Sequence, residues 1–117
     1  MPRLFLIHWN AGEAEAMAAP LRLHGMEVTV EADDGGRAAK AIHATPPDAV
    51  IISLARLPSH GRAVAEHLLT RRTTRDVPLL FVGGTPEAAA RVRQLVPNAK
   101  FIASAELPDG VVELFPA

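Results

Sequence analysis

At 117 residues the chain has room for one hydrophobic core and not for two. Apolar residues make up 49% and charged residues 21%, the balance of a folded globular protein rather than a disordered one. At a formal charge of −1, acids and bases both occur along the whole chain and no basic stripe for a nucleic-acid backbone stands out, and the lack of cysteine excludes disulfides, thiolate metal sites and cysteine nucleophiles. The opening stretch MPRLFLIHWN has one charged side chain and too short an apolar run for a signal peptide. No window approaches a membrane span, so a cytoplasmic protein without a membrane partner is expected.

Five short apolar runs alternate with helix-like stretches. The first, RLFLI (Arg3–Ile7), is apolar at nearly every position, as a strand covered on both faces should be. Asn10 followed by Glu13 has the spacing of a capping box and opens a helix that Gly25 can close. Pro20 lies deep in that helix, where its missing N–H predicts a kink or a shortened element. MEVTVEA (Met26–Ala32) alternates apolar and polar residues, the pattern of an edge strand with one wet face. Asp34 is a cap for a second helix that must stop before Pro46-Pro47. AVIIS (Ala49–Ser53) and PLLFV (Pro78–Val82) again read as doubly covered strands. Between them the third helix follows Pro58, with His60 near its start.

Thr85-Pro86 is an N-cap with proline at the first helical position. The apolar residues that follow, Ala88, Ala89, Val92, Leu95 and Val96, keep to one helical face, and Glu87 and Arg91 are spaced to pair on the other. AKFIA (Ala99–Ala103) is the fifth strand. The last stretch, broken by Leu107-Pro108 and Asp109-Gly110, leaves about two turns of helix from Val111 to Phe115. So short a final helix is expected to leave apolar surface open for a partner, a second subunit or a downstream segment. Crossovers of this length force parallel neighbours, and right-handed crossovers give a doubly wound five-stranded α/β sheet in the order 2-1-3-4-5, one domain over residues 1–117.

With that order in place, PDAVIISLARLPSHGRAVAEHL resembles the third strand, loop and helix of bacterial response-regulator receiver domains. ADDGGRAAKAI is similar to that family's second-strand exit and second helix, and VPLLFVGG to its fourth strand. The resemblance spans nearly the whole chain. It implies a signalling module of two-component systems, in which two acids after the first strand and an aspartate ending the third hold Mg²⁺ and take a phosphoryl group. A hydroxyl residue ending the fourth strand and a lysine ending the fifth would relay the change.

At those positions this chain has His8 and Trp9, with Asn10 next, for the acids and Ser53 for the aspartate. Gly83, followed by Gly84, stands for the hydroxyl, and Ser104 or Ala105 for the lysine. So altered a pocket offers Mg²⁺ nothing to offset the cost of stripping its water. The expectation is a degenerate, phosphorylation-independent receiver-like module, not an enzyme, with no catalytic residue, metal or cofactor. It would work through a protein partner or as a homodimer, using a face around Arg91, Val92, Phe101 and Val111.

Other chemistry at these residues is weaker. His8 and Ser53 should lie close on neighbouring strands, but no acid is evident to orient the imidazole. His60 could approach His8 and begin a metal site, although only Asn10 suggests a third ligand. Gly83-Gly84 feeding a helix start could cradle an anion, but it lacks the spacing of a nucleotide or flavin loop. The rival reading is therefore a flavodoxin-like small-ligand or metal-binding domain using His8, Asn10, Ser53, His60 and Gly84. Trp9 is expected to fill the volume that the ion and carboxylates would otherwise take.

Overall fold

The computed structural model describes residues 2–97 and 99–115. Its elements run β1 (Arg3–Ile7), α1 (Ala11–Leu23), β2 (Glu27–Glu31), α2 (Gly35–Ala44), β3 (Ala49–Ser53), α3 (Pro58–Leu69), β4 (Leu79–Val82), α4 (Pro86–Leu95) and β5 (Lys100–Ile102), with a 3₁₀ turn at Ser104–Glu106 and a one-turn α5 at Asp109–Val112. The strands form a single sheet in the order β2-β1-β3-β4-β5, and all four pairings are parallel, as the spacing requires.

Alternation along each strand divides the core into two layers. Phe5, Ile7, Val50, Ile52, Leu79 and Phe81 face α2, α3 and α4. Their neighbours Leu4, Leu6, Ala49, Ile51, Leu80 and Val82 face α1 and the C-terminal segment. The β1, β3 and β4 strands are buried on both faces except at Arg3, which explains their nearly unbroken apolar sequence. The edge strands are less covered: β2 keeps a wet side, with Glu27 and Thr29 exposed, and β5 exposes Lys100.

The helix caps follow from local chemistry. Asn10 Oδ1 accepts from Glu13 N–H (2.9 Å), Asp34 Oδ1 from Arg37 N–H (3.0 Å), and Thr85 Oγ1 from Ala88 N–H (3.1 Å). The reciprocal half of the capping box at Asn10 is not made, because the Glu13 carboxylate is engaged elsewhere. Glu87 and Arg91 form no ion pair among the described residues. Nor does Pro20 shorten α1, which continues through it to Leu23. Proline there removes only the bond to the Ala16 carbonyl, and Ala16 is exposed, so water can satisfy that oxygen.

The end of the chain also departs from expectation. The Leu107–Pro108 peptide is cis, and α5 is one turn beginning at Asp109, not two turns beginning at Val111. The segment still closes its face of the sheet. Val111 is fully buried, and Leu107, Val112, Leu114 and Phe115 pack around it against the α1-side layer. Irregular backbone thus covers much of what a longer helix would have covered, with Leu107, Val112, Leu114 and Phe115 left half-buried. Among the described residues the exposed large apolar side chains are Leu23 and Leu57.

Candidate functional site

The C-terminal ends of β1, β3 and β4 open into a cleft of about 350 Å³ walled by α1 and by the segment after β5. Alternation decides what enters it. Leu4 and Leu6 face α1, so His8 does too, whereas Trp9 turns to the opposite layer with Phe5 and Ile7. On β3 the same rule sends Ser53 to the His8 side and Leu54 to the other. His8, Ser53, Gly83 and Ser104 accordingly line one cleft, with Glu13, Met17, Val82 and Leu107.

Several expected members lie elsewhere. Trp9 does not fill the cleft. It packs against the α2–α3 layer, with the Cη2 of its ring close to where a Cβ on Gly35 would stand (3.2 Å) and its ring edge-on to His60 (centroids 5.2 Å apart). His60 lines a groove between α2 and α3 with Gly36 and His67 and does not meet His8, so the imagined imidazole pair does not form. Asn10 is occupied as the cap of α1, and Ala105 is exposed outside the cleft. Gly84 supports the cleft from behind. Its φ is +83°, and a Cβ there would stand 2.7 Å from Leu54 Cβ and 2.9 Å from the Leu54 carbonyl oxygen. Gly83 is also left-handed, at φ +73°.

The face imagined around Arg91, Val92, Phe101 and Val111 does not exist as one surface. Val92 and Val111 are both fully buried, and they belong to opposite layers of the sheet. Arg91 is exposed, while Phe101 is half-buried, lies against Phe81 and is covered by the Arg93 guanidinium 4.3 Å above its ring.

The decisive contact in the cleft was not evident in the sequence. Arg56, in the loop after β3, reaches across to the first turn of α1 and grips Glu13 with two parallel bonds, Nε to Oε2 at 2.8 Å and Nη2 to Oε1 at 2.9 Å. The Arg56 hydrogen bonds hold the Glu13 carboxyl below its ordinary range. His8 Nε2 lies 4.0 Å from the same carboxylate, beyond hydrogen-bonding distance. Burial pushes the His8 pKa down, Glu13 opposes this and Arg56 adds to it, so the ring is neutral at pH 7. With only 3% of its surface exposed and Nδ1 unpartnered, His8 is a buried neutral base rather than a charged one.

This donor set does not suit a hard divalent ion, which needs several anionic or carbonyl oxygens. Among the described residues, the one carboxylate side chain in the cleft is already bonded to a guanidinium, and the other polar side chains are an imidazole and two hydroxyls. No group of three His, Cys, Asp or Glu side chains able to hold a metal occurs among the described residues. The Ser53 hydroxyl accepts from Ala55 N–H (3.2 Å) and shares no hydrogen bond with His8. Of the segment after β5, Ser104 and Leu107 line the cleft, and neither is a cation.

A second ion pair stiffens the same edge of the sheet. Glu31, at the end of β2, takes two bonds from Arg37 (2.6 and 2.8 Å) and the backbone N–H groups of Asp33 and Asp34. These partners, Arg37 foremost, pull its pKa down to about 2.

No protein-family model matches the chain, and no curated protein matches it. Solved structures do. A protein of Chloroflexus aurantiacus assigned as a response regulator superposes with a TM-score of 0.81 at 23% identity, covering 97% of this chain and 93% of that one. The receiver domain of a Pseudomonas aeruginosa sensor histidine kinase, with a magnesium ion in its active-site cleft, gives 0.79 at 24% identity over 96% and 95% of the two chains. A Vibrio cholerae chemotaxis protein gives 0.79 at 16% identity over 97% and 95%. The chain therefore has the fold of response-regulator receiver domains, in the strand order that its sequence predicts.

Proposed function

We propose that this chain is a receiver-like regulatory module that works by protein–protein contact in a signalling assembly and takes up no phosphoryl group. The Arg56–Glu13 pair carries the reading. The Pseudomonas domain, which shares the fold, holds magnesium in its active-site cleft. Here a guanidinium neutralises the only carboxylate among the described residues of the cleft, with neutral His8 and Ser53 beside it. A phosphoryl group arriving there would find neither a carboxylate nucleophile nor a metal to balance its charge. The module would be cytoplasmic, acting on a protein partner or on a second copy of itself.

The test is incubation with ³²P-labelled acetyl phosphate and Mg²⁺, with Trp9 fluorescence followed separately on adding beryllofluoride. Neither label nor a Mg²⁺-dependent fluorescence change is expected. Stable label on Ser53 or His8 would overturn the reading.

One observation favours a second reading, a small-ligand domain. Because Trp9 turns away, the cleft stays open, lined by His8, Ser53 and Ser104 over an apolar floor. A ligand panel that raises the melting temperature of the native chain but not of a Met17→Trp variant would move the function into the cleft.

A further inference from the structure

The cations of this chain are divided unevenly. Residues 58–100 carry seven Lys and Arg against three Asp and Glu, whereas the rest carries five against ten. In the acidic part, Arg22, Arg37 and Arg56 are all spent on carboxylates. Among the described residues none of the seven cations of residues 58–100 makes an ion pair.

Three of them border one trough. Arg62 and Arg91 face each other across the α3–α4 seam in a hollow of about 440 Å³, with Glu66 its only acid. A second hollow of about 290 Å³, bordered by Arg75, continues from it through the shared Leu95. The floor of that second hollow includes the half-buried side chains Leu69, Val77, Val96 and Ala99. Cations thus stand at both ends of a trough whose middle is apolar. The 12 residues of α3 make the seam about 18 Å long, room for five or six residues of extended chain.

We infer that the α3–α4 seam docks an extended segment of a partner protein that carries acidic side chains between apolar ones. This rests on the reading above that the domain works by protein contact, and it gives that partner a chemistry. Protein is favoured over nucleic acid because the trough offers apolar aliphatic floor and no aromatic ring for a base to stack on. A second copy is disfavoured because joining a basic seam to an acidic face elsewhere is a heterologous contact that does not close.

The probe is a synthetic peptide of about 12 residues alternating glutamate and leucine, titrated into the ¹⁵N-labelled chain and followed by NMR. Shifts are expected at Arg62, Leu95 and Val96. The affinity should fall about tenfold or more in Arg62→Glu/Arg91→Glu and should weaken steeply between about 50 and about 500 mM salt. Lys40→Glu, a charge reversal on α2, should leave it unchanged. If the double reversal does not fold, Arg62→Gln/Arg91→Gln with the salt series takes its place.

Shifts confined to the sheet edge, no binding, tighter binding of polyuridylate than of the peptide, or self-association abolished by the double reversal would each overturn the inference. Its failure is separable from that of the parent reading. Phosphoryl label on Ser53 with the peptide still on the seam would remove only phosphorylation independence. No label and no peptide binding would remove only the seam.

Discussion

Two regions of this molecule use arginine in opposite ways. At the C-terminal edge of the sheet, Arg56 and Arg37 are each locked by two bonds onto a carboxylate of the same chain, and both ties join a loop or helix start to a neighbouring element. Along the α3–α4 seam, Arg62, Arg75 and Arg91 make no ion pair among the described residues, although Glu66 lines the same trough. Charge satisfied internally stiffens a fold, while charge left over is available to something outside it. Substitutions at the edge should therefore change stability, and substitutions on the seam should change binding with little effect on stability.

The largest effect is expected at Gly84. An alanine there meets Leu54 at under 3 Å and must also hold a left-handed φ, so Gly84→Ala should cost about 3 kcal/mol or more in urea denaturation. A loss below about 1 kcal/mol would mean that the Leu54 backbone yields and that the edge is softer than described.

Next comes Glu31→Gln. With Arg37 61% exposed, the pair's contribution must be discounted for solvent screening, and a loss of about 1–2 kcal/mol at pH 7 is expected. The folded Glu31 pKa is depressed, so its stabilisation is present above the ordinary value of 4.5 and fades as pH falls towards about 2. The stability gap between native chain and variant should close across that interval, and a gap independent of pH would show that the ion pair is not its source.

His8 gives a smaller effect with a definite sign. Its folded pKa lies below 6.5, so the unfolded chain binds more protons and stability falls as pH drops below 6.5. NMR titration of the ring should show Glu13→Gln lowering the His8 pKa further and Arg56→Gln raising it, because the two charges act on it in opposite directions. Shifts of the same sign in both variants would break the account of the cleft. The smallest expected change is in Arg62→Ala and Arg91→Ala, each within about 0.5 kcal/mol of the native stability while peptide binding weakens. A large loss of stability there would mean that these arginines are structural after all.

Much of this was legible in the sequence. The unbroken apolar runs and the caps at Asn10, Asp34 and Thr85 are local signals, and they place the strands and helix starts without help from the rest of the chain. The meeting of His8, Ser53 and Gly83 in one cleft could also be read, because those positions sit at the ends of well-marked strands. The direction of Trp9 was readable but missed: period-two alternation from Leu4 and Leu6 through His8 puts the next side chain on the other face. Arg56 and Glu13 were not readable, since they stand 43 residues apart and each has an ordinary local explanation. The C-terminal segment misled for a different reason, because turn-forming residues such as Pro108 and Gly110 report where a helix breaks and not what the intervening side chains cover.

The left-handed backbone at Gly83 also limits what substitution could introduce. Placing acids at positions 8, 9 and 53 changes side chains only. A serine or threonine at position 83 would have to take up φ near +73°, at about 1–2 kcal/mol for a residue with a Cβ and more for a β-branched one. A hydroxyl side chain at position 83 would thus carry a cost in fold stability that side-chain changes at positions 8, 9 and 53 do not, so the backbone and not only the side chains sets which chemistry this cleft can take.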